Sequence, residues 1–199
     1  MSTTEQRYRQ KELSILAAAE RLFLAQGYGA TTMDAIAREA RVTKQTVYRY
    51  FPSKQALFTR LIQQNDGDHT PFRFGSGPVH RELQAYAEAF ITFHMTPKRL
   101  SLYQLMLGES KTHPEIAEVF RHQARPRWQG ILADYLRRQI RDSSRAETCG
   151  SMFNALLLHQ RTAILMGLAQ IPDGESIRHQ ARLATELFLK GVELDGESR

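Results

Sequence analysis

Within the eight residues Lys44 to Phe51, KQTVYRYF, six side chains carry groups that can recognise another molecule through hydrogen bonds: Lys44, Gln45, Thr46, Tyr48, Arg49 and Tyr50. They supply ammonium, amide, hydroxyl, guanidinium and phenol groups, and the local pattern offers them no core partner. Val47 and Phe51, spaced i and i+4, fall on the opposite side of a helix and can pack inward. A helix with one apolar edge and a donor-rich face suits the groove of a DNA duplex. The same composition also occurs on ordinary solvated helices, so the surrounding elements have to decide.

Those elements are legible as helix starts and stops. Thr43 is an N-cap candidate for the donor-rich helix, and Pro52 stops it by steric exclusion. Upstream, Thr32 can cap a helix beginning at Met33, with Ile36, Ala37 and Ala40 on its apolar face. The chain then reverses through Arg41 and Val42, which makes the pair a helix-turn-helix. Downstream, Ser53 can cap a further helix and places Lys54 in its first turn, where a lysine beside free backbone amides attracts phosphate. Such a clamp sets register on a duplex, while base edges are read by the preceding helix.

Charge supports this placement. Residues 1 to 65 hold ten Lys plus Arg against five Asp plus Glu, whereas the remainder holds 17 against 16. A basic head on a nearly neutral body directs the attraction of a +6 chain towards a polyanion at one end. Arg7, Arg9 and Lys11 lie in an arm before the first helix, which either tracks phosphates or is a solvated terminus. Other chemistries find little material. A single cysteine, Cys149, excludes an internal disulfide framework and reads as a small packing residue. No Gly-rich phosphate loop, zinc-finger cysteine pattern or nucleophile elbow is present, so an enzyme lacks its machinery. Glu118 and His122 stand one helical turn apart but read as a surface ion pair, and neither a metal nor a cofactor is expected. No apolar run reaches a membrane span or a secretory core, so a cytoplasmic location is expected.

Apolar residues recur at three and four positions throughout, which predicts an all-α chain. The first helix is expected over roughly residues 10 to 26, with Leu13, Leu16, Ala19, Leu22 and Phe23 as its buried stripe and Gly27 as a left-handed cap. Residues 1–65 form the expected DNA-binding domain and 66–78 a flexible loop, which Phe72 and Phe74 could instead tie down. A larger helical domain follows over 79–199, with segments near 79–94, 97–110, 114–140, 144–168 and 174–194, for about nine helices in total. Pro126 is expected to kink the third segment, and Ser144 with Glu147 to form a capping box on the fourth.

The run from Leu13 to Phe58 resembles the DNA-binding domain of the TetR family of transcriptional regulators, through ILAAAERLFLAQGYGATTMDAIAREA, VTKQTVYRYF and SKQALF in that order. Arg41 departs from the glycine usual at the family's turn, a position that asks for left-handed backbone. More loosely, LYQLMLGESKTHPEIAEVF resembles the AefR-like subgroup. The resemblance implies an N-terminal three-helix helix-turn-helix domain joined by a fourth helix to a ligand-binding and dimerisation domain. It also implies that Thr32, Thr43, Lys44, Gln45, Thr46, Tyr48, Tyr50 and Lys54 face DNA. Lys44 and Gln45 are the candidates for base contacts; Tyr48, Tyr50 and Lys54 are those for phosphates. The last two helices, apolar over a wide arc, would pair with their symmetry mates in a homodimer on a palindromic operator, or else form a hairpin buried within one chain. Phe90, Phe93, His94, Tyr103, Met106, Leu107, Phe120, Trp128 and His159 are the candidates for lining a site for a largely apolar small molecule, each of them alternatively a plain core residue. The implied function is repression relieved by that ligand; the alternative is a DNA-binding or architectural protein whose C-terminal domain only dimerises.

Overall fold

The computed structural model describes residues 3–66, 72–119, 121–122, 126–192 and 194, the side chains of residues 3, 65, 66, 126 and 127 excepted. Among them are eleven α-helices and no β-strand, only an isolated bridge between Ile140 and Leu194. The chain divides into two compact units, residues 1–68 with 101–124 and residues 69–100 with 125–199.

The first unit contains α1 (Thr3–Gln26), α2 (Met33–Glu39), α3 (Lys44–Tyr50), α4 (Lys54–Asp66) and α7 (Pro114–Val119), together with most of α6 (Pro97–Glu109). Local chemistry starts these helices where the sequence marks them. Thr32 accepts from the Ala35 amide at 3.1 Å, Thr43 from Thr46 at 3.2 Å and Ser53 from Ala56 at 3.0 Å, each satisfying an orphan donor of a first turn. Gly27 closes α1 at φ 87°, and Arg41 takes the left-handed turn at φ 55°. A side chain there costs about 1 kcal/mol or more relative to glycine.

Three expectations change here. The arm holding Arg7, Arg9 and Lys11 is helical, because no breaker separates Thr3 from Gln10 and Tyr8 stacks on Tyr50 with ring centroids 4.4 Å apart. Leu13 is exposed, and Ile15 joins Leu16, Ala18, Ala19 and Phe23 in the core. At 3.6 residues per turn the stripe through positions 16, 19 and 23 is centred near position 12, which leaves position 13 roughly 100° off it. The third is the reach of this unit beyond residue 65. Leu102, Met106, Ile116 and Val119 enter the core built by Phe23, Ile36, Val47 and Phe58, so packing assigns part of the expected C-terminal domain to the head.

In the second unit, α5 (Val79–His94), α8 (Pro126–Leu136), α9 (Ala146–Leu157) and α11 (Gly174–Gly191) pack around Leu83, Tyr86, Phe90, Leu132, Phe153 and Ala181, with α10 (Arg161–Leu165) short beside them. The count exceeds nine because the expected segments over 114–140 and 144–168 each hold two helices. Pro126 is the first residue of α8, while residues 120 and 123–125, on which the expected kink bears, lie outside the described residues. The segment over 144–168 breaks at 158–160, where the Leu157 carbonyl accepts from Gln180 Nε2 at 2.7 Å. Nor does Ser144 cap with Glu147. Asp142 accepts from the Ser144 amide at 3.1 Å and starts a 3-10 turn over Ser143–Arg145, while Glu147 pairs with Arg137. Residues 72–78 are non-helical, and the described part of the expected loop is tied down: the Gly75 and Gly77 amides donate to Glu82 at 2.6 and 3.1 Å.

Candidate functional site

The donor-rich helix α3 is held by one edge. Val47 is fully buried and Phe51 nearly so, which aims the remaining face of α3 outward. Gln45, Tyr48 and Arg49 are exposed on it. Lys44 is exposed too but engaged by Asp34 at 2.8 Å; that hydrogen bond holds its pKa above the ordinary lysine value. Lys44 must therefore exchange one anion for another to reach DNA. Thr43 and Thr46 share a hydroxyl contact at 2.9 Å, and Thr32 caps α2. Tyr50 is half-buried under Tyr8, with the Arg49 guanidinium 5.7 Å from its ring centre. Its phenol ring is thus braced by the N-terminal extension of α1, a contact across 42 positions that helical periodicity does not encode.

Lys54 has a different role from the one its helix position suggests. Its ammonium donates to the carbonyl oxygens of Tyr28 at 2.7 Å, Thr31 at 2.9 Å and Gly29 at 3.3 Å, and sits 4.3 Å from the centre of the Tyr28 ring. All three ammonium hydrogens have acceptors, so none is left for a phosphate in this arrangement. Burial lowers the Lys54 pKa, with Glu115 and Glu109 opposing. The same segment is gripped from the other side: the Gly29 amide donates to Glu109 Oε2 at 3.3 Å, and His113 lies 3.6 Å from both Glu109 and Glu115 carboxylates while its ring meets the edge of Tyr28. A Cβ at Gly29 would stand 2.6 Å from His113 Nε2, so any side chain there would push the His113 ring aside. Burial and then Glu115 push the Tyr28 phenol up to about 12, which keeps it protonated. Glu109 and His113 were not legible as site residues, since they act on the turn before α2 from about 80 positions away.

The expected ligand-lining residues separate into groups. Phe90, Phe93, His94 and Trp128 come together in the second unit, with Phe90, Phe93 and His94 rings 5.2, 5.3 and 5.7 Å from the Trp128 indole. Tyr103 and Met106 pack instead in the core of the first unit, where Leu107 is exposed. The helical face of α6 that carries Met106 is the one that completes that core. His159 is exposed, bonding the Leu156 carbonyl at 3.1 Å beside an open groove of about 720 Å³ that Asp173, His179 and Leu183 also line. Phe120 lies outside the described residues. Burial drives the His94 pKa down to about 4, with Arg99 and Arg161 adding to the effect against the Phe90 carbonyl it bonds at 2.8 Å. Cys149 is buried in the second core. Glu118 and His122 form an exposed pair at 3.3 Å, and no described residues group three or more metal-ligating side chains.

Residues 15–61 match the model of the bacterial regulatory proteins of the tetR family, and residues 81–191 match the C-terminal domain of AefR-like transcriptional repressors. The chain belongs to the TetR family of transcriptional regulators. Its donor-rich α3 is the second helix of the family's helix-turn-helix. The HTH-type transcriptional regulator YhgD of Bacillus subtilis (strain 168) is 28% identical over 132 residues, 64% of this chain and 66% of that protein, so the match spans slightly less than two thirds of that relative. A solved TetR-family regulator from Mesorhizobium loti shares the fold over 94% of this chain and 98% of that one, at TM-score 0.77 and 22% identity. A second solved structure, the flavonoid-responsive regulator FrrA, is 27% identical, with TM-score 0.76 over 92% of this chain and 97% of its own. No described helix is long and apolar enough to cross a membrane.

Proposed function

We propose that this TetR-family protein is a homodimeric repressor that grips a palindromic operator and is released from it by a small molecule bound in the second unit. The observation that carries the reading is the split of α3 into a locked edge and an exposed donor face. Val47 fixes the helix, and Gln45, Tyr48 and Arg49 stand clear of the core. In this arrangement Gln45 reads a base edge, Lys44 does so after leaving Asp34, and Tyr48 with the hydroxyls of Thr43 and Thr46 contacts phosphates. Thr32 and Tyr50 flank the contact, and Lys54 shapes the turn before α2 rather than holding phosphate.

Dimerisation is supported by apolar side chains that the second unit leaves outside. Met152, Met166, Leu183 and Leu187 are each about half exposed or more, while Phe153, Leu157 and Ala184 of the same helices are buried. An apolar face of that kind on α9 to α11 fits a two-fold partner, and a two-fold dimer would meet the need of a palindromic operator for two recognition helices about one DNA turn apart. Regulation by a ligand is supported by the AefR-like match and by the likeness to FrrA, a flavonoid-responsive regulator. Ligand and operator would weaken each other by the same factor if each prefers a different conformation.

The test is selection of bound sequences from random duplex DNA at two salt concentrations, which separates phosphate attraction from base readout. An enriched inverted repeat is the expected result. Binding that enriches no sequence and fades steeply with salt would replace the operator reader with an architectural protein.

A further inference from the structure

Beside α3, a second group of cations is carried by the first turns of α1, where Arg7, Arg9 and Lys11 are all exposed. Against these three, residues 3–12 hold the acids Glu5 and Glu12, and the Glu12 carboxylate is already engaged by Arg60 at 2.8 Å. What fixes the cations in place is Tyr8. It stands seven residues before Ile15 and eleven before Ala19, which puts it within about 20° of the stripe that α1 buries. The core does not reach so far along the helix: Tyr8 is 52% exposed, and its ring stacks on Tyr50 of α3 with centroids 4.4 Å apart and planes 28° from parallel.

This stack joins the two helices at the last turn of α3, where the Arg49 guanidinium stands 5.7 Å from the Tyr50 ring centre. Arg7 and Arg9 fall about 100° to either side of Tyr8 around α1, and Lys11 about 60° to the side of Arg7. Cations therefore flank the seated ring on both sides and run on into Arg49. A basic surface continuous with a helix that enters a groove meets the phosphates on the rim of that groove, since these run unbroken along the duplex while base edges lie within it. Guanidinium groups also match phosphate oxygens two at a time.

Building on the reading of α3 as the helix that enters the operator, we infer that the first three turns of α1 are a second DNA-contacting element. Arg7, Arg9 and Lys11 bind backbone phosphates next to the base pairs that α3 reads, and Tyr8, seated on Tyr50, is the positioning residue that holds them there. The contact carries no base preference of its own. It adds affinity and helps to fix the register of α3.

The experiment compares the full-length parent with three variants on a duplex carrying the sequence it selects and on a random duplex, with affinity followed over a range of salt and phosphate contacts mapped by ethylation interference. The first variant combines Arg7→Gln, Arg9→Gln and Lys11→Gln; glutamine has nearly the helix propensity of the residues it replaces, and thermal unfolding checks the fold. Its plot of log affinity against log salt should be shallower by about 2–3 for each protomer bound, with a loss of about fivefold per contact at 0.15 M salt on both duplexes alike. Interference at the flanking phosphates should vanish while the selected sequence stays the same. Arg7→Lys with Arg9→Lys keeps the charge and should keep the slope. Tyr8→Ala keeps every cation but should lose the interference at those phosphates. An unchanged slope and interference map in the glutamine variant overturns the inference, as does an equal loss in the lysine variant. Interference that persists in Tyr8→Ala overturns the positioning role of that ring. A parent that binds duplex DNA without enriching a sequence removes the operator reading of α3, yet the slope on random duplex still decides the α1 contact; a parent that binds no DNA overturns both.

Discussion

Replacing Lys54 by methionine separates two roles that the position of this residue in α4 would merge. The side chain keeps its length and apolar stem but loses the ammonium that joins the Tyr28, Gly29 and Thr31 carbonyls. A hydrogen bond from a charged donor contributes about 1.5–3 kcal/mol, and the Gly29 oxygen, on an exposed residue and at 3.3 Å, regains water when released. The other two acceptors belong to residues that are 2% and 0% exposed, so their loss is felt more fully. Allowing for the energy that burial already costs the ammonium, the net loss is about 3 kcal/mol, the cation–π contact included. For a chain of this size that lowers the melting temperature by roughly 6–12 °C. The assay pairs thermal unfolding with DNA binding measured well below the transition. Lys54→Met is expected to melt early, and binding at low temperature should fall only as far as the turn before α2 loosens. A variant as stable as the parent, yet weakened equally on operator and random DNA, would refute this reasoning and restore a phosphate clamp.

Arg41→Gly should relieve the left-handed turn and stabilise the protein by about 1 kcal/mol without loss of operator affinity, a gain readable by denaturant unfolding. Gln45→Ala should relax base preference while leaving affinity for random duplex nearly unchanged; equal losses on both would remove its reading role. With the His94 pKa down near 4, the unfolded chain takes up the proton first as pH falls below about 6.5. Stability present at neutral pH is therefore lost between about 6.5 and 4, by at most about 3 kcal/mol, and unfolding of His94→Phe should lack that part of the acid dependence. Leu187→Glu places a charge on the exposed apolar face of α11 and should shift the protein to monomers in sedimentation, with the enriched inverted repeat no longer bound tightly.

Much of the DNA-binding head was legible because its signals are local. Thr32, Thr43 and Ser53 cap within three residues, Gly27 and Arg41 adopt the backbone their turns require, and Val47 and Phe51 share an edge one helical turn apart. In the second unit the same rules placed α5 and α11 but overran the end of α9, because helical periodicity alone does not mark the break at 158–160. The ligand shortlist mixed two cores for a related reason: periodicity assigns Met106 and Phe90 each to an apolar face without saying which core that face meets.

By itself, then, the order of residues determined the all-α class, the helix-turn-helix and the outward row of donors on α3, all consequences of contacts within about one helical turn. Only the tertiary structure decided that Lys54 ties down carbonyls 26, 25 and 23 positions away, that Glu109 reaches Gly29, and that Tyr86 meets Trp128 and Asn154 while Phe74 stacks beside it. The reason is physical. A polar tip takes whichever acceptor lies within about 3 Å, and which acceptor arrives there is set by how distant helices pack rather than by its neighbours in the chain.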